Sequence, residues 1–514
     1  MRQPWGPGTA RAPGALLAVA AGVVALAAVP VVHLLLRTAG GGVDRTLGVL
    51  LRPRTAEMTL ASLSVAALVG AGSLVLGTAT AWAVTRWRLP LPRLWPVLAA
   101  LPLAMPSYVL AFAWRAVDPA VAGMAPLVVV LVLACSPLVT LPTAAALRHA
   151  DPGPAEAART LGAGRLRVAL TVELPAVAPA ALAGALLAAL YALSDFGAPA
   201  TLRQPTLTWG VRAAYEGGLD RHLASVLSVV LVACGAVLVV AERLVRRRAG
   251  RRARWQVRAA EPVTVHPLTR AAAVTGLLVV TAVPVVLPVA VLVHRATLAR
   301  TRSLDVPRVL EGVVATLGLG VTAAVVVTIL AYPVAAVAAR DARPRGRHLE
   351  SAAYLSQAVP GIVVGLSLVS FSLTVLPGLY QSSAVLVLAY VVLFLPRAVG
   401  ATRAALARVP EGPEQVARSL GHGPWRTWAG VTARHAAPGV AAGALLVAIT
   451  VSKELPATLM LRPTGVETLA TSLWGHTANA AYGAAAPYAL ALVLVAVLPA
   501  WALTVATARK EGVR

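Results

Sequence analysis

Two acidic residues, Asp195 and Glu454, each follow an apolar run of the chain, within SDFGAPATL and SKELPATL. An ionisable group at membrane depth costs about 2.5–3.5 kcal/mol on insertion scales, so it usually faces a cavity or a partner. If both carboxylates face a central axis, their oxygens suit a hard cation such as Fe³⁺. Alternatively, both helices end near the outer interface, where Arg203 and Lys453 pair with the acids or water solvates them.

A second chemical signal is a polar, glycine-broken phrase that the chain contains twice. EAARTLGAG occupies 156–164, and QVARSLGHG occupies 415–423. In the first copy, Asp151 can cap a helix, and Gly162 can adopt the left-handed conformation that ends it. The spacing predicts a short helix, a sharp corner and a second short helix. One copy could simply lie on lipid headgroups, but two equivalent copies indicate a partner with two equivalent binding sites.

The composition is that of a membrane protein. Of 514 residues, 58% are hydrophobic and 13% charged, with a mean hydropathy of +0.77, against roughly 45–50% and 25% in soluble domains. The net charge of +25 lies in short basic clusters between apolar runs, which is typical of loops beside membrane spans. Nucleic-acid binding, which needs a continuous basic surface, is therefore not expected.

Neither a cofactor nor an enzymatic site is expected. The two lysines, Lys453 and Lys510, lie outside any Gly-x-x-x-x-Gly-Lys-Ser/Thr context, so ATP hydrolysis through a P-loop of this chain is excluded. Cys135 and Cys234 lie in apolar stretches, and the nine histidines show no ligand spacing, so no metal site is assigned.

The apolar runs predict an all-α, polytopic membrane protein of about twelve transmembrane helices. Each run is long enough for the ~30 Å hydrocarbon core of a bilayer. The predicted spans are 15–36, 59–85, 94–117, 122–146, 176–198, 222–242, 271–294, 312–339, 351–376, 383–405, 436–459 and 484–508.

Basic residues predict the orientation. With both termini in the cytoplasm, the arginine-rich segments at 86–93, 243–258 and 340–347 and both polar phrases lie inside, as the positive-inside rule prefers. Only the loop 295–308, with four arginines, is then basic on the outer side.

The polar phrases belong to a repeat of the whole chain. A shift of 259 residues superposes Arg159 on Arg418 and Gly162 on Gly421, and also aligns two GALL sequences. We therefore expect two homologous six-helix halves, parallel in the membrane, with a pathway between them. Residues 1–242 form the first half, with its polar loop at about 151–170. Residues 243–270 form a cytoplasmic arginine-rich linker, and residues 271–514 form the second half, with its polar loop at about 410–429.

Two prolines occupy matching places in the halves. Pro106 in AMPSYVL and Pro360 in AVPGIVV lie within the third and ninth predicted spans. Each removes a helix hydrogen bond and can kink the helix. Matched kinks suit a pathway that opens alternately, and packing alone would explain them equally well.

The phrase EAARTLGAG resembles the EAA loop of ATP-binding-cassette (ABC) importer permeases, whose pattern is Glu-Ala-Ala, three residues, then Gly. In that family the loop is the coupling helix that sits in a groove of the ATPase subunit. Glu156, Ala157, Ala158 and Gly162 match this pattern. The second copy departs from it, because the corresponding residues are Gln415, Val416, Ala417 and Gly421, with Glu414 one position early. The absence of a glutamate at position 415 puts any conserved salt bridge from the second half in doubt.

The resemblance covers about 55–242 and 308–508. It implies a transport subunit in the bacterial plasma membrane, with two copies of a separate ATPase and an extracytoplasmic solute-binding protein as partners. The ELPATL and TLAT sequences after 453 are similar to those of ferric-iron permeases. Thiamine or another small solute remains an alternative, since thiamine permeases are also two fused halves. An ion-coupled secondary transporter, with Asp195 and Glu454 as relays, is a rival that does not explain the paired polar loops.

Overall fold

The computed structural model describes residues 14–217, 220–252, 262–298, 305–340 and 344–511. In these ranges the secondary structure is helical, apart from one bridge between Trp87 and Val263. Nine helices there are long and apolar enough to cross a membrane, or eleven if each of two sharply bent helix pairs is one span. The fold class is thus confirmed, whereas the predicted count of twelve spans is not.

The helices form two compact units, each built around one sequence repeat. The first-repeat unit comprises Leu47–Leu304 and Leu473–Arg514, and the second-repeat unit comprises Met1–Thr46 and Asp305–Ser472. The first long helix, Gly14–Gly40, belongs to the unit of the second repeat, and the last one, Tyr482–Glu511, belongs to the unit of the first repeat. The division into the halves 1–242 and 271–514 stays a prediction from the sequence repeat. Residues 253–261 of the expected linker lie outside the described residues.

In the first-repeat unit the long helices follow the repeat in order. We call Pro53–Arg86 the first core helix and Gly153–Thr160 the first polar helix. The other helices are Trp95–Ala100, Leu101–Ala104, Ser107–Val117, Met124–His149, Arg165–Val168, Ala169–Glu173 (a π-helical turn), Leu174–Ser194, Gly197–Thr201, Leu207–Glu216, Arg221–Arg252, Pro267–Thr281, Ala282–Val286 (π-helical), Leu287–Leu298 and Tyr482–Glu511.

The second-repeat unit contains the same series up to its last long helix, because Tyr482–Glu511, which follows the second repeat in sequence, belongs to the first-repeat unit. Val306–Arg340 is the second core helix, and Glu411–Ser419 is the second polar helix. The other helices are Gly14–Gly40, Pro344–Leu355, Ser356–Ala358, Gly361–Val375, Pro377–Leu379, Ser383–Ala407, Pro424–Thr427, Trp428–Ala433 (π-helical), Arg434–Ser452 and Pro456–Leu461. Helices Val43–Leu50 and Leu469–Ala478 contain the unit boundaries.

Small residues let the helices of each unit approach closely, as is usual in membranes where packing drives association. A Cβ added to Gly184 would lie 2.5 Å from the carbonyl oxygen of Leu138. At the matching place in the second repeat, a Cβ on Gly443 would lie 2.6 Å from the Cβ of Ala401. These two glycines open the repeated GALL sequences, so the repeat preserves a site of helix–helix contact.

A buried hydrogen bond also recurs in both units. The amide of Leu207 donates to Ser62 Oγ at 2.8 Å, and the amide of Leu469 donates to Thr316 Oγ1 at 2.9 Å. Each bond fixes the start of a later helix to the core helix of the same unit. The repeat seen in the sequence is therefore a repeat of contacts as well.

Candidate functional site

Each polar helix ends in the same glycine corner. Gly162 and Gly421 have φ of 83° and 80°, in the left-handed region that side chains with a Cβ rarely adopt. The amide of Gly162 donates to the carbonyl of Arg159 at 3.0 Å, and Gly421 repeats this bond to Arg418. This is the Schellman arrangement, which satisfies the last carbonyls of a helix. The chain reverses there into a second short helix, as the glycine spacing predicts.

Large apolar side chains project from these polar segments into solvent. Leu161 is 87% exposed and its repeat partner Leu420 is 72% exposed. In the short helices after the corners, Leu166 and its partner Trp425 are 74% and 73% exposed. Exposed apolar groups rimmed by polar residues usually mark a protein or membrane contact. The pairs occupy equivalent places in the two repeats, so the surface they form is present twice.

A π-helical turn follows each polar segment and leads into a long helix. Ala169–Glu173 precedes Leu174–Ser194, and Trp428–Ala433 precedes Arg434–Ser452. Such turns often occur at functional positions. Each polar helix is thus joined through one irregular turn to a helix about 30 Å long.

At the far ends of those long helices stand Asp195 and Glu454. Asp195 Oδ1 accepts a hydrogen bond from the amide of Gly197, at 3.0 Å. Glu454 Oε1 and Oε2 accept from the amides of Ala457 and Thr458, each at 2.9 Å. Asp195 and Glu454 are both half-buried residues. Each therefore holds the first turn of the short helix that follows, in the manner of helix-capping side chains.

The two matching prolines stand at breaks between helices. Pro106 precedes Ser107–Val117, at a bend of 84°, and Pro360 precedes Gly361–Val375, at a bend of 97°. These angles far exceed a kink within a continuous helix, so the expectation of proline kinks is replaced by two complete breaks. The second break lies beside an acid, since a Cβ on Gly361 would meet Glu454 Oε1 at 2.8 Å.

Comparison with known proteins identifies this arrangement. Residues 73–254 and 331–511 each match the family described as the binding-protein-dependent transport system inner membrane component. The chain belongs to this family of ABC importer permeases. Both matched stretches contain a polar helix, so the permease carries the family's domain twice. Family membership makes the chain a multi-pass membrane transport subunit and implies an ATPase and a binding protein as partners.

Individual relatives agree with this assignment. The permease is 30% identical over 483 residues to the Fe(3+)-transport system permease protein FbpB 2 of Haemophilus influenzae, covering 92% of this chain and 94% of the relative. It is 31% identical over 171 residues to the molybdenum transport system permease protein ModB of Escherichia coli, covering 28% of this chain and 70% of that one. The putrescine permease protein PotI of Escherichia coli is 28% identical over 206 residues, covering 38% and 73% of the two chains.

The motif residues of the permease differ in exposure. Glu156 and Ala157 are exposed and Ala158 is half-buried, while Gln415 is exposed and Ala417 half-buried. Glu414 differs from all of them because it is buried, with 6% of its surface exposed. It forms ion pairs with Arg340 and Arg418 of its own unit. Glu414, one position before the place of the motif glutamate, is thus paired within its own unit.

The exposed apolar pairs were missed by motif reasoning. The signal was available, because a shift of 259 residues places Leu161 on Leu420 and Leu166 on Trp425. The EAA pattern is defined by its glutamate, alanines and glycine, whereas the exposed apolar surface is formed by the large side chains just after the helix.

The permease also has a cavity of about 360 Å³ in its first-repeat unit, beyond the end of Leu174–Ser194. Arg115, Arg203 and Arg212 line it together with Glu216, and so do several aromatic rings. The Arg212 guanidinium lies 5.2 Å from the centre of the Phe196 ring. The excess of positive charge attracts anions more than bare cations. In the described part of the chain, no group of three or more His, Cys, Asp or Glu side chains is placed to hold a metal ion.

Proposed function

We propose that the permease forms the translocation pathway for a solute delivered by an extracytoplasmic binding protein, and that each polar helix docks one copy of an ATPase subunit. The observation that carries this proposal is the pair of exposed apolar residues on each polar segment, Leu161 with Leu166 and Leu420 with Trp425. Two equivalent surfaces suit a motor of two equivalent subunits. Both termini would then lie in the cytoplasm of a bacterial cell, with lipid around the long helices.

Glu156, Ala157, Ala158 and Gly162 would form one docking site, and Glu414, Gln415, Ala417 and Gly421 the other. Closure of the ATPase pair would move both polar helices, and each π-helical turn would pass that motion to the following long helix. Such coupling requires that the ATPase bind the two conformations of the permease with different affinity. Pro106 and Pro360, at the helix breaks, and Asp195 and Glu454 would line the path that opens.

Ferric iron is the proposed solute, supported by the similarity to the Fe(3+)-transport permease over most of both chains. The arginines around the cavity favour an anionic iron complex over a bare ferric ion. ModB and PotI, whose names give other solutes, match shorter parts of the chain.

The test is uptake of radioactive iron by vesicles that contain the permease, its co-purified ATPase and its binding protein. We expect uptake that requires ATP on the side of the membrane where the ATPase is bound and that persists with an uncoupler. We also expect faster uptake of ferric citrate than of aquated iron. Uptake that survives ATP depletion and stops with an uncoupler would instead establish a secondary transporter.

A further inference from the structure

In the first-repeat unit, a buried carboxylate lies between two arginines of different helices. Glu173 Oε2 lies 3.7 Å from Nε of Arg86, the last residue of the first core helix. Its other oxygen, Oε1, lies 3.6 Å from Nη2 of Arg159, on the first polar helix. Side chains of Arg86 and Glu173 are each only 10% exposed. The carboxylate therefore connects the polar helix to the end of the core helix.

The second-repeat unit contains the same triad with shorter distances. Glu414 Oε1 lies 2.6 Å from Nη2 of Arg340, the last residue of the second core helix. Glu414 Oε2 lies 3.3 Å from Nη2 of Arg418, on the second polar helix. Thr432 Oγ1 also donates a hydrogen bond to Glu414 Oε1, at 2.5 Å. All four groups belong to this one unit.

The carboxylate comes from opposite elements in the two repeats. The shift that superposes the polar helices places Glu414 on Ala155 and Thr432 on Glu173. In the first repeat the acid is therefore on the π-helical turn and the polar helix has an alanine, while the second repeat reverses this. Ala155 and Thr432 are both buried, with 4% and 2% of their surfaces exposed. Arg159 superposes on Arg418 at the same shift, and Arg86 and Arg340 correspond as the last residues of the two core helices.

A buried arginine without its carboxylate is strongly unfavourable, whereas moving the carboxylate to a neighbouring position keeps the pair intact. Ala155 is buried and lies one helical turn before Arg159, just as Glu414 lies one turn before Arg418. A carboxylate at either position 155 or position 173 can therefore supply the charge. We propose that each triad clamps its polar helix to its core helix, and that Glu173 and Glu414 are equivalent positioning residues at exchanged positions. The consequence for transport rests on the proposed function, because the clamp would carry ATPase motion directly into the core helix.

The clamp itself is testable on the permease alone. Glu173→Thr should speed amide hydrogen exchange in 153–163 by roughly tenfold or more, because the polar helix loses its attachment. The double variant Ala155→Glu/Glu173→Thr copies the second repeat and should restore slow exchange. Glu57→Thr, in an exposed ion pair on the same core helix, is the control and should change nothing. The reverse exchange, Glu414→Ala/Thr432→Glu, should likewise rescue Glu414→Ala.

Exchange rates that stay fast in both double variants would overturn the clamp. If a single variant does not fold, the double variant still decides, because a permease restored by moving the charge supports the proposal and one that remains unfolded opposes it.

In the complete transporter, Glu173→Thr should keep its ATPase bound while the amount of solute moved per ATP falls several-fold, and the double variant should recover that amount. Rescue of exchange without rescue of coupling would leave the clamp standing and contradict its role in transport. Absence of any ATPase from the unaltered permease would contradict the proposed function alone.

Discussion

The main-chain amide of Ala163 donates to the carbonyl of Ala158 at 3.0 Å, across the end of the first polar helix. His422 makes the same bond to Ala417 at the end of the second. Each bond exists because the glycine between its partners turns the chain in the left-handed region. The direction in which Leu166 and Trp425 project thus depends on Gly162 and Gly421.

Replacing Gly162 or Gly421 with valine should impair coupling. The left-handed conformation costs a residue with a Cβ roughly 1–2 kcal/mol, although no neighbouring atom would block the new Cβ. We expect the solute moved per ATP to fall several-fold with little loss of Tm, measured on the assembled transporter. Gly164→Ala is the matched control, because Gly164 has φ of −63° and also has open space. Unchanged coupling in both valine variants would remove the corner from the mechanism.

The carboxyl groups at the far ends of the long helices should tolerate neutralisation unequally. Asn caps helices as well as Asp does, so Asp195→Asn should preserve Tm, while Asp195→Ala should cost about 0.5–2 kcal/mol. Glu454→Gln keeps one acceptor for two amides and should cost about 1–3 kcal/mol. Thermal unfolding and iron uptake should be measured together. An Asp195→Asn permease with normal Tm and no uptake would show that the charge serves the pathway.

The exposed tryptophan of the second polar segment should contribute to ATPase binding. Trp425 stacks on Trp428 at 4.7 Å between ring centres, which holds it in a projecting position. The few residues that dominate an interface are enriched in tryptophan, and truncating one of these costs about 2 kcal/mol or more. Trp425→Ala should therefore weaken ATPase association about thirtyfold in a binding titration. Leu60→Ala, at an equally exposed position of the first core helix, should leave the affinity unchanged.

The hydrogen bond that recurs in the two units should be of similar strength in each. Ser62→Ala and Thr316→Val each leave a buried amide, that of Leu207 or Leu469, without its acceptor. An unsatisfied buried donor costs about 1–3 kcal/mol, so both variants should lower Tm by comparable amounts in detergent. A large loss in one variant with none in the other would mean that the repeats are not energetically equivalent.

Local features of the fold could be predicted from the sequence, and tertiary ones could not. Long apolar runs and glycine corners depend on residues that are close in the chain, and the repeat can be seen by comparing the chain with itself. The helices and both polar segments could therefore be predicted. The breaks at Pro106 and Pro360 were underestimated, because a proline shows that a hydrogen bond is lost and does not show the angle between the flanking helices. The buried carboxylate comes from Glu173 in one repeat and from Glu414 in the other, and this could not be predicted without knowing which helices pack together.

Photo-crosslinking from the polar segments tests the central claim most directly. A benzophenone amino acid would replace Leu161 or Leu420 in the assembled transporter, with positions 60 and 314 as controls, because Leu60 and Val314 are 68% and 70% exposed on the core helices. We predict covalent adducts between the permease and its ATPase from positions 161 and 420, and lipid adducts alone from positions 60 and 314. Lipid adducts alone from all four positions would contradict the account, because the polar helices would then lie on the membrane surface and not in the ATPase.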